Sequence, residues 1–172
     1  SPNTIGSQIK SPVQLVIGTM RLLDAQVPNP QQLVTALEQM GQVPFAPPNV
    51  KGWPGGRSWI NTSTLFVRYN TSVWLAGGGV PIAGGRGGVA RFVGGRGPGP
   101  FRGANLPRFN PKPAGNSAEE VVDDWVARLI QRPISNERRR VLVEALGDRV
   151  ESESALKKMI QLIVSMPDYQ LC

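Results

Sequence analysis

The sequence predicts an all-α fold, an irregular bundle of about six helices with an ordered Pro/Gly/Trp loop and a long Gly-rich flexible insertion. Three observations carry this expectation. Apolar residues recur at helical spacing over most of the chain, and only a short piece near residues 65–67 reads as a competing strand. Each such segment opens on a Ser, Thr or Asn suited to accept a hydrogen bond from the first free N–H groups of a helix. Glycine and proline concentrate in two stretches, 42–58 and 77–115, which interrupt the helical pattern.

Ser11-Pro12 opens the first helix, with Ser as N-cap and Pro at the first helical position, where its missing N–H costs nothing. Val13, Val16, Ile17, Met20 and Leu23 then mark one apolar side. Asn29-Pro30 repeats the start signal. Leu33, Leu37 and Met40 form the second stripe, and Gly41 suits its C-terminal cap. Residues 42–58 hold four prolines and three glycines, so the backbone there turns repeatedly. Phe45, Val50, Trp53 and Trp59 are large and apolar, which predicts an ordered loop packed against the helices. Asn61 or Thr62 caps a third helix with Leu65, Phe66, Tyr69, Val73 and Trp74 as its apolar stripe.

Residues 77–115 hold thirteen glycines and six prolines, a composition that resists a packed core. The pieces GGR, RGG and FRG recur without a fixed period, so this is an insertion and not a structural repeat. Helical signals resume at Ser117, which forms a capping box with Glu120. Val121, Val122, Trp125 and Leu129 give that helix its apolar side, and Pro133 stops it. Ser135 caps the next, with Val141, Leu142, Ala145 and Leu146 inside and Gly147 at its end. The last begins at Ser152 or Ser154 and runs through Leu156, Met159, Ile160, Ile163 and Met166 to Pro167. The expected organisation is a helical segment with the Trp loop at 1–76, the insertion at 77–115, and helices at 116–172 that pack with the first segment.

Chemistry is narrowed by what the chain lacks. Without His, the commonest acid/base group and metal ligand at neutral pH is missing. Cys172, the single cysteine, stands last, which excludes an internal disulfide and a Cys-based zinc site and leaves a thiol without a partner base. No apolar run reaches the ~18 residues of a membrane span. The opening SPNTIGSQIKSP has neither a secretory pattern nor a starting Met, which predicts a fragment of a longer chain. The net charge of +7 is uneven: Arg86, Arg91, Arg96, Arg102, Arg108 and Lys112 stand in 77–115 with no acid among them.

The runs IKSPVQLVIGTMRLL at 9–23, GQVPFAPPNVKGWPGGRSWINTSTL at 41–65 and IQLIVSMPDYQL at 160–171 resemble the carboxy-terminal part of the bacterial domain of unknown function 1800 family. The specific block is the Asn-Val-x-Gly-Trp-x-Gly-Gly loop leading into Trp-Ile-Asn-Thr and a helix bearing Arg68. The resemblance covers about 1–75 and 116–172. It implies a mainly helical bacterial protein larger than this chain, with the missing amino-terminal part as first partner. It also implies a location in the bacterial envelope and a neighbourhood of sulfatase-like proteins of domain of unknown function 1501. It implies no catalytic residue and no cofactor.

The best candidate site is the loop that sets Asn49, Lys51, Arg57 and Asn61 beside Trp53 and Trp59, with Arg68 on the helix that follows. Indole faces beside amide and cationic groups suit a sugar or another polar ring. The same residues also serve a purely structural role, with Trp plugging the helical body and Asn bonding loop backbone. Arg among Gly, with Phe92 and Phe101 nearby, offers nucleic-acid association, but six charges over this stretch are sparse, and nucleic acid is the weaker reading. No phosphate-binding glycine motif is present. Glu119, Glu120, Asp123 and Asp124 fall in the first turns of a helix, where negative charge favours the helix dipole, and Arg138-Arg139-Arg140 reads as a solvated face. The functional expectation is a non-catalytic structural or binding module. The alternatives are part of an envelope polymer-acting enzyme with its catalytic groups elsewhere, and nucleic-acid association through the Gly/Arg stretch.

Overall fold

The computed structural model describes residues 6, 8–27, 29–77, 107–113 and 115–172. Among them the chain forms α1 (Pro12–Leu23), α2 (Pro30–Gln39), α3 (Thr62–Leu75), α4 (Ala118–Leu129), α5 (Asn136–Leu146) and α6 (Glu153–Ser165). Short 3-10 turns lie at Gly56–Trp59 and Pro167–Gln170, and the β pairing among the described residues is two isolated antiparallel bridges, Ile9 with Leu171 and Gln26 with Arg108. The fold is all-α.

Local chemistry sets the helix starts. Ser11 Oγ accepts from Gln14 N while the Gln14 side chain accepts from Ser11 N, which satisfies two free donors at once. Asn29 Oδ1 accepts from Gln31 N at 3.0 Å, and Asn61 forms a reciprocal pair with Thr64. Ser117 caps α4 through Glu120 N, but the expected box does not close: the Glu120 carboxylate takes the N–H of Asn116 at 3.0 Å. At the other end, α4 stops at Leu129, short of Pro133, because Gln131 turns into the left-handed region at φ 59°.

α6 is the central element, packed by α3, α4 and α5, and α3 in turn lies against α1 and α2. Leu156, Met159, Ile160, Ile163 and Val164 of α6 are buried, and they meet Val121, Val122 and Trp125 of α4 in one continuous core. Packing resumes before the expected boundary at 116. Phe109 joins the core and Arg108 bridges Gln26. Gly77, at φ 68°, lets α3 end there, since a Cβ would stand 3.2 Å from the Phe109 ring. Residues 78–106 of the expected insertion, with most of its arginines, lie outside the described residues.

Three expected core positions are corrected. Leu65, Phe66 and Tyr69 of α3 are exposed, at 47%, 42% and 41%, and polar Thr64, Arg68, Thr71 and Ser72 are buried instead. The rotation is fixed by Trp74 and Leu75, which the core takes, and Thr64, Arg68, Thr71 and Leu75 share their side at i, i+4, i+7 and i+11. The short strand piece near 65–67 is helical. Phe45 and Val50 are fully exposed, so only part of the Pro/Gly/Trp loop packs as expected. Val141 is half exposed, and α5 fully buries only Leu142 and Leu146.

Candidate functional site, where the first and last segments meet

Gly6 and residues 8–10 run antiparallel to 170–172. Lys10 N donates to Gln170 O at 2.9 Å, Cys172 N to Gln8 O at 2.8 Å and Gly6 N to Cys172 O at 3.0 Å. A ladder this short is marginal by itself. Side chains from α1 and α3 hold it.

From the middle of α3, Arg68 donates through Nη2 to Lys10 O at 2.6 Å and through Nε to Gln170 Oε1 at 2.9 Å. It ties one segment to the other from a fully buried position. Among the described residues Arg68 takes part in no ion pair, and its Nη1 is buried without a hydrogen-bond partner. Burial lowers its pKa to about 10, which still leaves a cation at neutral pH.

From α1, Thr19 Oγ1 donates to Leu15 O and shares a 2.6 Å hydrogen bond with the phenol of Tyr169. A hydroxyl has one proton, so Thr19 gives its own to Leu15 and Tyr169 must be the donor to Thr19. Burial pushes the Tyr169 phenol up to about 12, against the opposing pull of the Thr19 hydrogen bond. Lys10 Nζ donates to Tyr169 O at 2.7 Å and stands 4.0 Å from the centre of the Tyr169 ring. Burial brings Lys10 down to about 8; a negative charge at Cys172 opposes this, and the cations Arg68 and Arg132 add to it. Asp168 carries two arginines, Arg132 at 3.1 Å and Arg138. Beside Lys10 lies a cavity of about 190 Å³, walled by Gln14, Thr19, Leu129, Arg132 and Tyr169 among others.

The seven residues singled out in the sequence divide among three places. Asn49, Lys51 and Arg57 are exposed, with Asn49 Oδ1 accepting from Lys51 N at 2.9 Å, and Trp53 is half-buried. Trp59 is buried, and its carbonyl accepts from Thr64 Oγ1 while Asn61 caps α3 from an exposed position. Arg68 points away from that loop, into the joint of the two segments. Lys10, Thr19, Arg132, Tyr169 and Gln170 were not singled out, because their partners lie far along the chain. The signal available was that the family-like runs at 9–23 and 160–171 both carry polar residues among aliphatic ones, with Tyr169 in the second.

Residues 1–171 match the family described as Protein of unknown function (DUF1800). The chain belongs to this family. No curated protein and no solved structure matches it. In this DUF1800 chain the family-like runs converge on one place: Lys10 from the first, Arg68 from the helix after the second, Tyr169 and Gln170 from the third. Among the described residues no helix of the DUF1800 chain is long and apolar enough to cross a membrane.

The joint of the first and last segments gathers mostly polar and charged side chains. Its groups are cations, amides and a phenol held protonated, and its one side-chain carboxylate, Asp168, is committed to Arg132 and Arg138. Elsewhere Asp123 is held by Arg139, Glu153 by Lys157 and Asp124 by Arg128. Asp24, Glu38, Glu119, Glu137, Glu144, Asp148 and Glu151 are exposed.

Proposed function

We propose that this chain is a non-catalytic helical module that docks onto further polypeptide of the same protein, the amino-terminal part expected before Ser1. The docking side is the outward side of α3 together with the loop that leads into it. One observation carries the reading: α3 buries Arg68, Thr71 and Ser72 and turns Leu65, Phe66 and Tyr69 outward. Several large apolar side chains held outward on one rigid helix are a recurrent mark of an interaction surface. Phe45 and Val50, in the loop that leads into α3, are also fully exposed, and Phe45 holds the left-handed region at φ 62°, a conformation a bulky residue rarely adopts. The resemblance to a family of larger helical proteins supplies the occupant. The absence of His and the commitment of Asp168 to two arginines support the non-catalytic part.

The test separates docking from folding. The double substitution Leu65→Asp with Phe66→Asp is made in this chain and in the product of the complete gene. The reading expects the melting temperature of the chain to stay within about 2 °C, since exposed positions contribute little. It expects the complete product to lose about 5 °C or more, because charges then enter a buried joint. Equal behaviour of the two proteins would overturn it.

A further inference from the structure

The cavity beside Lys10 selects its ligand by charge and by lining. Leu22, Leu129, Ile130 and Leu171 give the lining an apolar part, and Lys10, Gln14, Gln131, Arg132 and Cys172 give it a polar one. Of the two cations, Arg132 is already held by Asp168. Lys10 is in no ion pair among the described residues, and its ammonium spends one donor on Tyr169 O. An ammonium carries three donors, so two are left for a ligand. Asp168 cannot serve Lys10 without releasing Arg132 and Arg138. Cys172 also lines the cavity and acts on Lys10 electrostatically. One ammonium without an ion-pair partner calls for a single negative charge, and the apolar part of the lining calls for a hydrocarbon body behind it.

We propose that this cavity binds a small aliphatic monocarboxylate, with Lys10 as counter-ion to the carboxylate and Leu22, Leu129 and Ile130 covering the chain. Gln14 and Gln131, also in the lining, offer amide donors to the head group. Inorganic phosphate fits poorly, because it carries more charge than Lys10 balances and has nothing to place against the leucines. The site is formed by the segment before α1, α1 itself, the end of α4 and the last turn of the chain. It is separate from the outward side of α3, and the proposal stands whether or not that side docks.

The experiment titrates the chain with hexanoate, hexan-1-ol and inorganic phosphate, following backbone amide signals by NMR. Hexanoate is expected to shift Gly18, Thr19, Gln131 and Tyr169 saturably. Hexan-1-ol, which keeps the body and loses the charge, should bind at least about tenfold more weakly, the loss of one charge-assisted hydrogen bond. Lys10→Met should cost hexanoate a similar factor. The main-chain N–H and carbonyl of Lys10 that join the two segments are untouched by that change. Should the variant unfold, the comparison of acid with alcohol on the unaltered chain still decides. Absence of shifts at these residues, equal binding of alcohol and acid, or saturable binding of phosphate in preference to hexanoate would each overturn the proposal.

Discussion

The phenol of Tyr169 and the hydroxyl of Thr19, 150 positions apart in sequence, share a 2.6 Å hydrogen bond with both residues buried. The bond ties α1 to the last turn of the chain. Thr19→Val leaves the Tyr169 O–H without an acceptor at almost constant shape, which should cost about 1–3 kcal/mol. Tyr169→Phe should cost about 1 kcal/mol, since Thr19 keeps Leu15 O as acceptor for its proton. The double variant should cost less than the sum, with a coupling above about 0.5 kcal/mol, read from urea unfolding of all four proteins. Additive losses would show that the two groups do not depend on each other.

Arg68 offers a second prediction, on how its buried charge is balanced. Its guanidinium gains two hydrogen bonds, but among the described residues it has no carboxylate partner and leaves Nη1 unsatisfied. Arg68→Ala loses the packing, opens a cavity and frees both segments, for a cost of about 2–4 kcal/mol. Arg68→Met keeps the stem and removes the desolvated charge, so its cost should be about 1 kcal/mol or less. Urea unfolding of the two variants decides. A methionine variant as unstable as the alanine one would mean that the charge itself holds the joint.

The pH dependence follows from Lys10 and Tyr169. Lys10 has a folded pKa of about 8 against an ordinary 10.5, so between these values the unfolded chain binds a proton that the folded one has released. Stability therefore rises with pH across that window, and below about 8 the cost of holding the buried ammonium is present in full. Tyr169 acts the other way: its folded pKa lies at about 12 against an ordinary 10, so its contribution falls as pH climbs from 10 to 12. The groups that bear on Lys10 are Arg68, Arg132, Tyr169 and the charge at Cys172. Chemical unfolding at pH 7.5 and pH 9.5 should show the chain more stable at the higher value, and Lys10→Met should reduce that difference. An unchanged difference in the variant would assign the effect to other groups.

What was legible in the sequence was mostly local. Ser11, Asn29, Asn61, Ser117 and Ser135 cap helices as their positions suggest, because a cap involves residues only two or three apart. The stripes of α2, α4 and α6 also face the core, since each offers a single clear apolar side. α3 offered two. Leu65, Phe66 and Tyr69 compete with Val73, Trp74 and Leu75, and the winner depends on what α1 and α6 present to the helix, which spacing along one helix does not encode. The joint around Arg68 was illegible for a related reason. Its partners lie 58 and 102 positions away, and nothing near residue 68 signals that a carbonyl and an amide from opposite ends of the chain will meet there. The Trp loop was half legible: Trp59 packs, while Phe45 and Val50 do not.

The most direct measurement for the central claim is amide hydrogen–deuterium exchange over residues 43–50 and 62–69, in this chain and in the product of the complete gene. The account predicts that both stretches gain protection in the complete product, while the core helices α4 and α6 exchange alike in the two proteins. Unchanged exchange at 43–50 and 62–69 would contradict it, for the outward side of α3 would then be solvent-facing in the whole protein too.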